Sequence, residues 1–128
     1  MILEQVRIEA TSKLNQQTRG ELGQFMTQST IAAFMTTLFV PNFISSANLL
    51  DPGAGVGSLS AAFLDRWTTG VFPFNRLNIT AYEIDNILRE YLTQNMTEYA
   101  KKTHLTTEIL SIDFIEDAVK KIKRDLTN

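Results

Sequence analysis

The chain has 128 residues, 44% of them hydrophobic, and 12 basic against 14 acidic side chains give it a net charge of -2. That length suits one compact domain spanning 1–128, and the slight acidic excess excludes a segment whose main task is gripping phosphate backbones. The absence of cysteine excludes disulfides, thiolate metal sites and cysteine nucleophiles, and fits a reducing, cytoplasmic setting.

The opening "MILEQVRIEATSKL" carries Glu4, Arg7 and Glu9 and lacks a long apolar core, so neither a signal peptide nor a membrane span is expected there. Leu3, Val6, Ala10 and Leu14 recur at helical spacing and predict an amphipathic helix over 2–17, after which Gly20 and Gly23 loosen the chain. A second helix is predicted over about 29–39, with Thr27, Ser29 and Thr30 as candidate N-caps and Pro41 as its stop. A short strand over 47–51 then runs into the turn "DPGAGVG", and a helix follows over about 57–67. "LNITAYEI" has the β-branched and aromatic content of a buried strand. A long helix bears Ile87, Leu88, Tyr91, Leu92 and Met96 on one side, and "LTTEILSIDF" supplies a third strand ending near Asp113 and Phe114. The last helix carries Ile115, Ala118, Val119 and Ile122. Alternating strands and helices predict an α/β fold: a partial Rossmann-like parallel sheet of about three strands with helices on both faces, behind an N-terminal helical segment.

The glycine turn is the candidate site, because ligands in such sheets sit beyond the carboxyl ends of the strands. Gly53, Gly55 and Gly57 bring bare backbone close to a ligand. The dinucleotide fingerprint fails at Ser58, where it needs glycine or alanine, and no lysine completes a phosphate-binding loop. Asp51 stands immediately before the turn, unsuited to a pyrophosphate and suited to a ligand with positive charge, such as the sulfonium and ammonium groups of S-adenosylmethionine. Glu83, ending the second strand, suits the vicinal hydroxyls of an adenosine ribose. Asp113 suits the adenine amino group, with Ile84 and Phe114 covering the ring.

The segment "LGQFMTQSTIAAFM", followed by "LLDPGAGVGSLS", "AYEID" and "SIDF", resembles the amino-terminal, cofactor-binding part of adenine-specific DNA methyltransferases of restriction-modification systems in which cofactor motifs come first. The likeness covers about 19–116. It implies that Asp51, Gly53, Gly55 and Gly57 contact the methionine end of the cofactor, Glu83 and Ile84 the ribose and adenine, and Asp113 and Phe114 the adenine amino group and ring face. "GQFMTQ" is similar to Gly-Gln-Phe-Phe-Thr-Pro, which implies that Gln24, Phe25 and Thr27 close over the methionine end. Met26 and Gln28 depart from that pattern and bear on the stiffness of the loop. Residues 1–40 would then be helices and closing loop, and 46–128 half of the cofactor-binding domain.

The Asn-Pro-Pro-Tyr type of tetrapeptide that performs methyl transfer in that family does not occur; the prolines are Pro41, Pro52 and Pro73. No catalytic residue is therefore assigned. The expectation is a piece of a longer enzyme, shortened by design, frameshift or stop codon, which is inactive alone and meets DNA mainly through the rest of the parent chain. A first strand without a fourth beside it would be an edge, which predicts self-association there or through apolar helix faces. Two other readings stand beside this one: a non-catalytic nucleotide-binding or protein-interaction module, and a methyltransferase acting on RNA, protein or a small molecule. No metal is expected, since His104 is the single histidine and has no ligand-like spacing to a partner. Ser58 is expected to cap its helix, Trp67, Phe72 and Phe74 to cover the sheet, and Lys120, Lys121, Lys123 and Arg124 to form a solvated helix face.

Overall fold

The computed structural model describes residues 2–13 and 27–128. Among these residues eight elements follow in order: α1 (Ile2–Lys13), α2 (Ser29–Thr36), β1 (Ser46–Asp51), α3 (Ser58–Thr68), β2 (Arg76–Tyr82), α4 (Asn86–Ala100), β3 (Leu105–Leu110) and α5 (Phe114–Thr127). Three parallel strands lie in the order β1-β2-β3, with Leu49 beside Ile79 and Ile79 beside Thr107. The expected α/β sheet is present, and β1 is an edge strand among the described residues.

Alternation along β2 sorts its side chains to two faces. Leu77, Ile79 and Ala81 point into the core, where they meet Phe63, Leu64 and Trp67 of α3 and Leu92 and Met96 of α4. The rings of Phe63, Phe72 and Phe74 stack, with Trp67 on Phe74 and its indole N–H donating to the Phe74 carbonyl at 2.8 Å. The aromatic run therefore covers the sheet, as its position between helix and strand suggests. The other face is polar and more open: Asn78 Nδ2 donates to Asn48 Oδ1 at 3.0 Å, and Leu50 is exposed. Helix α5 reaches that face through its first turn, where the Tyr82 phenol donates to Asp117 Oδ2 at 2.6 Å.

Several local expectations shift. The N-cap of α2 is Gln28, without a side-chain bond, so Thr27, Ser29 and Thr30 do not cap it. Glu4 of α1 reaches across instead and its Oε2 accepts the Ser29 amide at 3.2 Å. The same carboxylate takes the Arg7 guanidinium, which holds it below the usual range. The cap of α3 is Gly57, and Ser58 is its first helical residue, buried, without a capping bond. Strand β3 ends at Leu110 and not near Asp113, because Asp113 turns its Oδ1 to accept the Glu116 amide at 3.0 Å and starts α5. Phe114 is accordingly helical. On α4, Leu88, Leu92 and Met96 form the buried stripe, while Ile87 remains exposed.

Candidate functional site

The turn between β1 and α3 is built by two left-handed glycines. Gly55 has φ +59° and Gly57 φ +94°, a region that side-chain-bearing residues seldom adopt. A Cβ on Gly57 would also lie 2.9 Å from Leu92 Cδ1, so this glycine lets α4 close against the turn. Gly53 is not among the positive-φ glycines, and open space surrounds the position a Cβ would take. Its contribution is bare backbone facing outward. Two bonds fasten the turn to its neighbours: Ala54 N–H donates to the Tyr82 carbonyl and Asn95 Nδ2 to the Val56 carbonyl, both at 2.9 Å.

Asp51, the last residue of β1, is only 8% exposed. Burial pushes its carboxyl up from the usual carboxylate range, opposed by a bond from Ser60 and the Gly53 amide. The Ser60 hydroxyl donates to Asp51 Oδ2 at 2.6 Å and is itself buried. Asp51 and Ser60 sit at the floor of an apolar groove of about 340 Å³, walled by Leu38, Phe39, Leu50 and Phe63 along the open edge of β1.

Glu83 follows β2 directly and is 9% exposed. Its Oε1 accepts the Gly55 amide at 2.9 Å and its Oε2 the Asp85 amide at 2.8 Å. Asp85 in turn caps α4 by accepting the Leu88 amide at 2.9 Å. One carboxylate thus joins the end of β2, the glycine turn and the start of α4. Each of its oxygens keeps a further lone pair for a donor.

The remaining sequence-assigned residues divide. Ile84 is exposed beside Glu83. Asp113 stands three residues beyond β3, exposed, with Oδ1 committed to the α5 cap. Phe114 is half-buried and meets Tyr82 edge to face at 5.2 Å, so this ring is engaged with its own sheet. Thr27 is half-buried just ahead of α2, and Gln24 and Phe25 lie outside the described residues. Strand order places Asp51 and Glu83 at the same end of adjacent strands, flanking the turn, with the β3 end beside them.

Sequence reasoning missed Ser60 and the Tyr82–Asp117–Lys121 cluster. Lys121 Nζ lies 2.8 Å from Asp117 Oδ2. That lysine, together with the Tyr82 phenol, holds the Asp117 carboxyl below its usual range. Helical spacing of Asp117 and Lys121 was a readable signal; the long-range partner Tyr82 was not. Among the described residues no three metal-ligating side chains gather, and no helix is long and apolar enough to cross a membrane.

The chain is similar to the Type II methyltransferase M.BsuBI of Bacillus subtilis, 37% identical over 98 residues, which are 77% of this chain and 19% of that protein. It is also similar to the Type II methyltransferase M.PstI of Providencia stuartii, 30% identical over 127 residues, 95% of this chain and 24% of that protein. The chain thus spans about a fifth to a quarter of the length of these relatives. No family model and no solved structure matches it.

Proposed function

Over the matched residues this chain is a relative of the Type II methyltransferases, and on that premise we propose that it is the S-adenosylmethionine-binding segment of a DNA adenine methyltransferase from a restriction-modification system. The observation that carries the reading is the pairing of two buried carboxylates, Asp51 and Glu83, on either side of a turn whose outward face at Gly53 is bare backbone. A cationic adenosyl ligand fits this donor and acceptor set. Asp51 would draw the positive methionine end to the turn, and Glu83 would accept the ribose hydroxyls with the lone pairs its two amide bonds leave over. Ile84, exposed beside it, would cover the adenine. Asp113 retains one carboxylate oxygen beyond its cap bond for the adenine amino group, and Phe114, packed edge to face with Tyr82, would cover the adenine ring. Gln24, Phe25 and Thr27 are assigned to closure over the methionine end by the motif likeness alone.

When bound, the cofactor would supply an electrophilic methyl group; this chain's own residues would hold it and shield it from water. The amide and aromatic groups that would orient a target base are absent from the 128 residues, so the isolated chain is expected to bind cofactor without methylating DNA. DNA would be met through other parts of the parent enzyme, since the cations of α5 are partly neutralised by acids on the same helix. Adenine as the target rests on the likeness of "GQFMTQ" to its motif.

Isothermal calorimetry with S-adenosylmethionine and S-adenosylhomocysteine tests this. Saturable binding of both, lost in Asp51→Ala, is the expected result. Indifference to both would favour a non-catalytic module, and methyl transfer to duplex by the chain alone would overturn the assignment of the catalytic groups elsewhere.

A further inference from the structure

Helix α5 carries an apolar stripe that the described fold leaves uncovered. Ile115, Val119, Ile122 and Leu126 are between 43% and 81% exposed, and no residue of the helix is buried. The contacts of α5 with the sheet use a different side of the helix, through Phe114, Asp117 and Lys121. The stripe therefore stays free while the helix is held in place.

The spacing of these four residues is specific. They step by four, three and four positions, the spacing of an a/d seam, with half-buried Ala118 beside them. Over its 14 residues α5 spans two heptads. Ile115 and Ile122 take the d positions and Val119 and Leu126 the a positions, which puts Glu116 and Lys123 at the two e positions beside the seam. In an antiparallel pair of identical helices e faces e across the twofold axis. Glu116 of one copy would then meet Lys123 of the other, and the reverse contact repeats it. In a parallel pair e faces g, and the g positions are Ala118 and Asp125, which give Glu116 no cation to meet. Both Glu116 and Lys123 are exposed.

We propose that the exposed stripe of α5 is a homodimer interface, in which two copies of this chain pair their α5 helices antiparallel, closed by reciprocal Glu116–Lys123 contacts. The occupant is a second copy because the seam and its flanking charges complement themselves under a twofold rotation, as a closed symmetric interface requires. The seam is short, so the dimer is weak and concentration-dependent. The inference is independent of cofactor binding.

Sedimentation equilibrium of the 128-residue chain, from micromolar to millimolar, tests it. A reversible dimer is expected, weakened about tenfold or more by Ile122→Glu, which forces a carboxylate into the seam. Glu116→Lys or Lys123→Glu alone would weaken it, and the double exchange would restore it. The chain has no cysteine, so orientation can be read directly: a mixture of Glu116→Cys and Lys123→Cys chains would form the mixed disulfide in preference to either like pair. All substituted side chains are exposed, and Trp67 emission verifies that each variant is folded. A strictly monomeric chain overturns the proposal. So does a dimer indifferent to Ile122→Glu but lost in Leu50→Lys, which would place the contact on the edge of β1, or a failure of the double exchange to restore pairing.

Discussion

The Gly55 amide donates to Glu83 Oε1 at 2.9 Å, so the carboxylate after β2 holds the turn that follows β1. The residue assigned to the ribose is therefore also part of the scaffold that shapes the methionine end. Glu83→Gln would present an amide N–H to one of two backbone N–H donors and lose a charge-assisted bond. The expected cost is about 1–3 kcal/mol in urea unfolding. Hydrogen exchange at Gly55 would accelerate in parallel; unchanged exchange there would show that the turn stands without Glu83.

Gly57 and Gly53 separate backbone strain from ligand access. Gly57→Ala combines a left-handed φ with a 2.9 Å approach to Leu92 Cδ1 and is expected to destabilise by about 1–3 kcal/mol. Leu92→Ala alone should cost about 2–5 kcal/mol from the core. The pair should cost less than the sum, because the truncated leucine removes the clash. Gly53→Ala meets no atom and is expected to leave stability within about 0.5 kcal/mol, while cofactor affinity measured by calorimetry falls.

Asp51 gives the fold a defined pH response. Its carboxyl is pushed up by burial. A folded-state value above the unfolded one favours the fold below the unfolded value, and this contribution is lost as pH rises through the folded one. At neutral pH the buried charge is therefore a cost. Asp51→Asn is expected to raise the melting temperature at pH 7 more than at pH 4, and to abolish binding of a cationic ligand. Ser60→Ala removes the 2.6 Å bond that favours the ionised form, so it should push the Asp51 carboxyl higher still in a carbon-detected NMR titration. Equal gains at both pH values for Asp51→Asn would refute the account.

Asp117 has the opposite sign. Lys121 first, then the Tyr82 phenol, holds its carboxyl low, so its contribution is present above the unfolded value and lost as pH falls through the folded one. Tyr82→Phe removes the bond between β2 and α5. Amide exchange along α5 is expected to speed up selectively, with β1 and α3 unaffected.

The sheet was legible because periodicity switches cleanly between strands and helices, and β1 and β2 each reach their turn with an acid, Asp51 and Glu83. Asp51 and Glu83 could be placed from that pattern alone. Asp113 was set too close to a strand end: the apolar "ILSIDF" reads as continuous β, whereas Asp113 and Glu116 form the local bond that starts a helix. Ser60 escaped notice because its aim back at Asp51 depends on the phase in which α3 leaves two left-handed glycines. Long-range partners such as Tyr82 and Asp117, 35 residues apart, carry no local signal. Gln24 and Phe25 lie outside the described residues, and their closing role stands on the motif likeness alone.

The single tryptophan of the chain is seated against Phe74 with its N–H bonded to a backbone carbonyl. Its emission is consequently an intrinsic optical gauge of whether α3 is docked on the sheet. Loss of docking would shift the spectrum toward that of a hydrated indole, so the unfolding transitions described above can be followed without any attached dye.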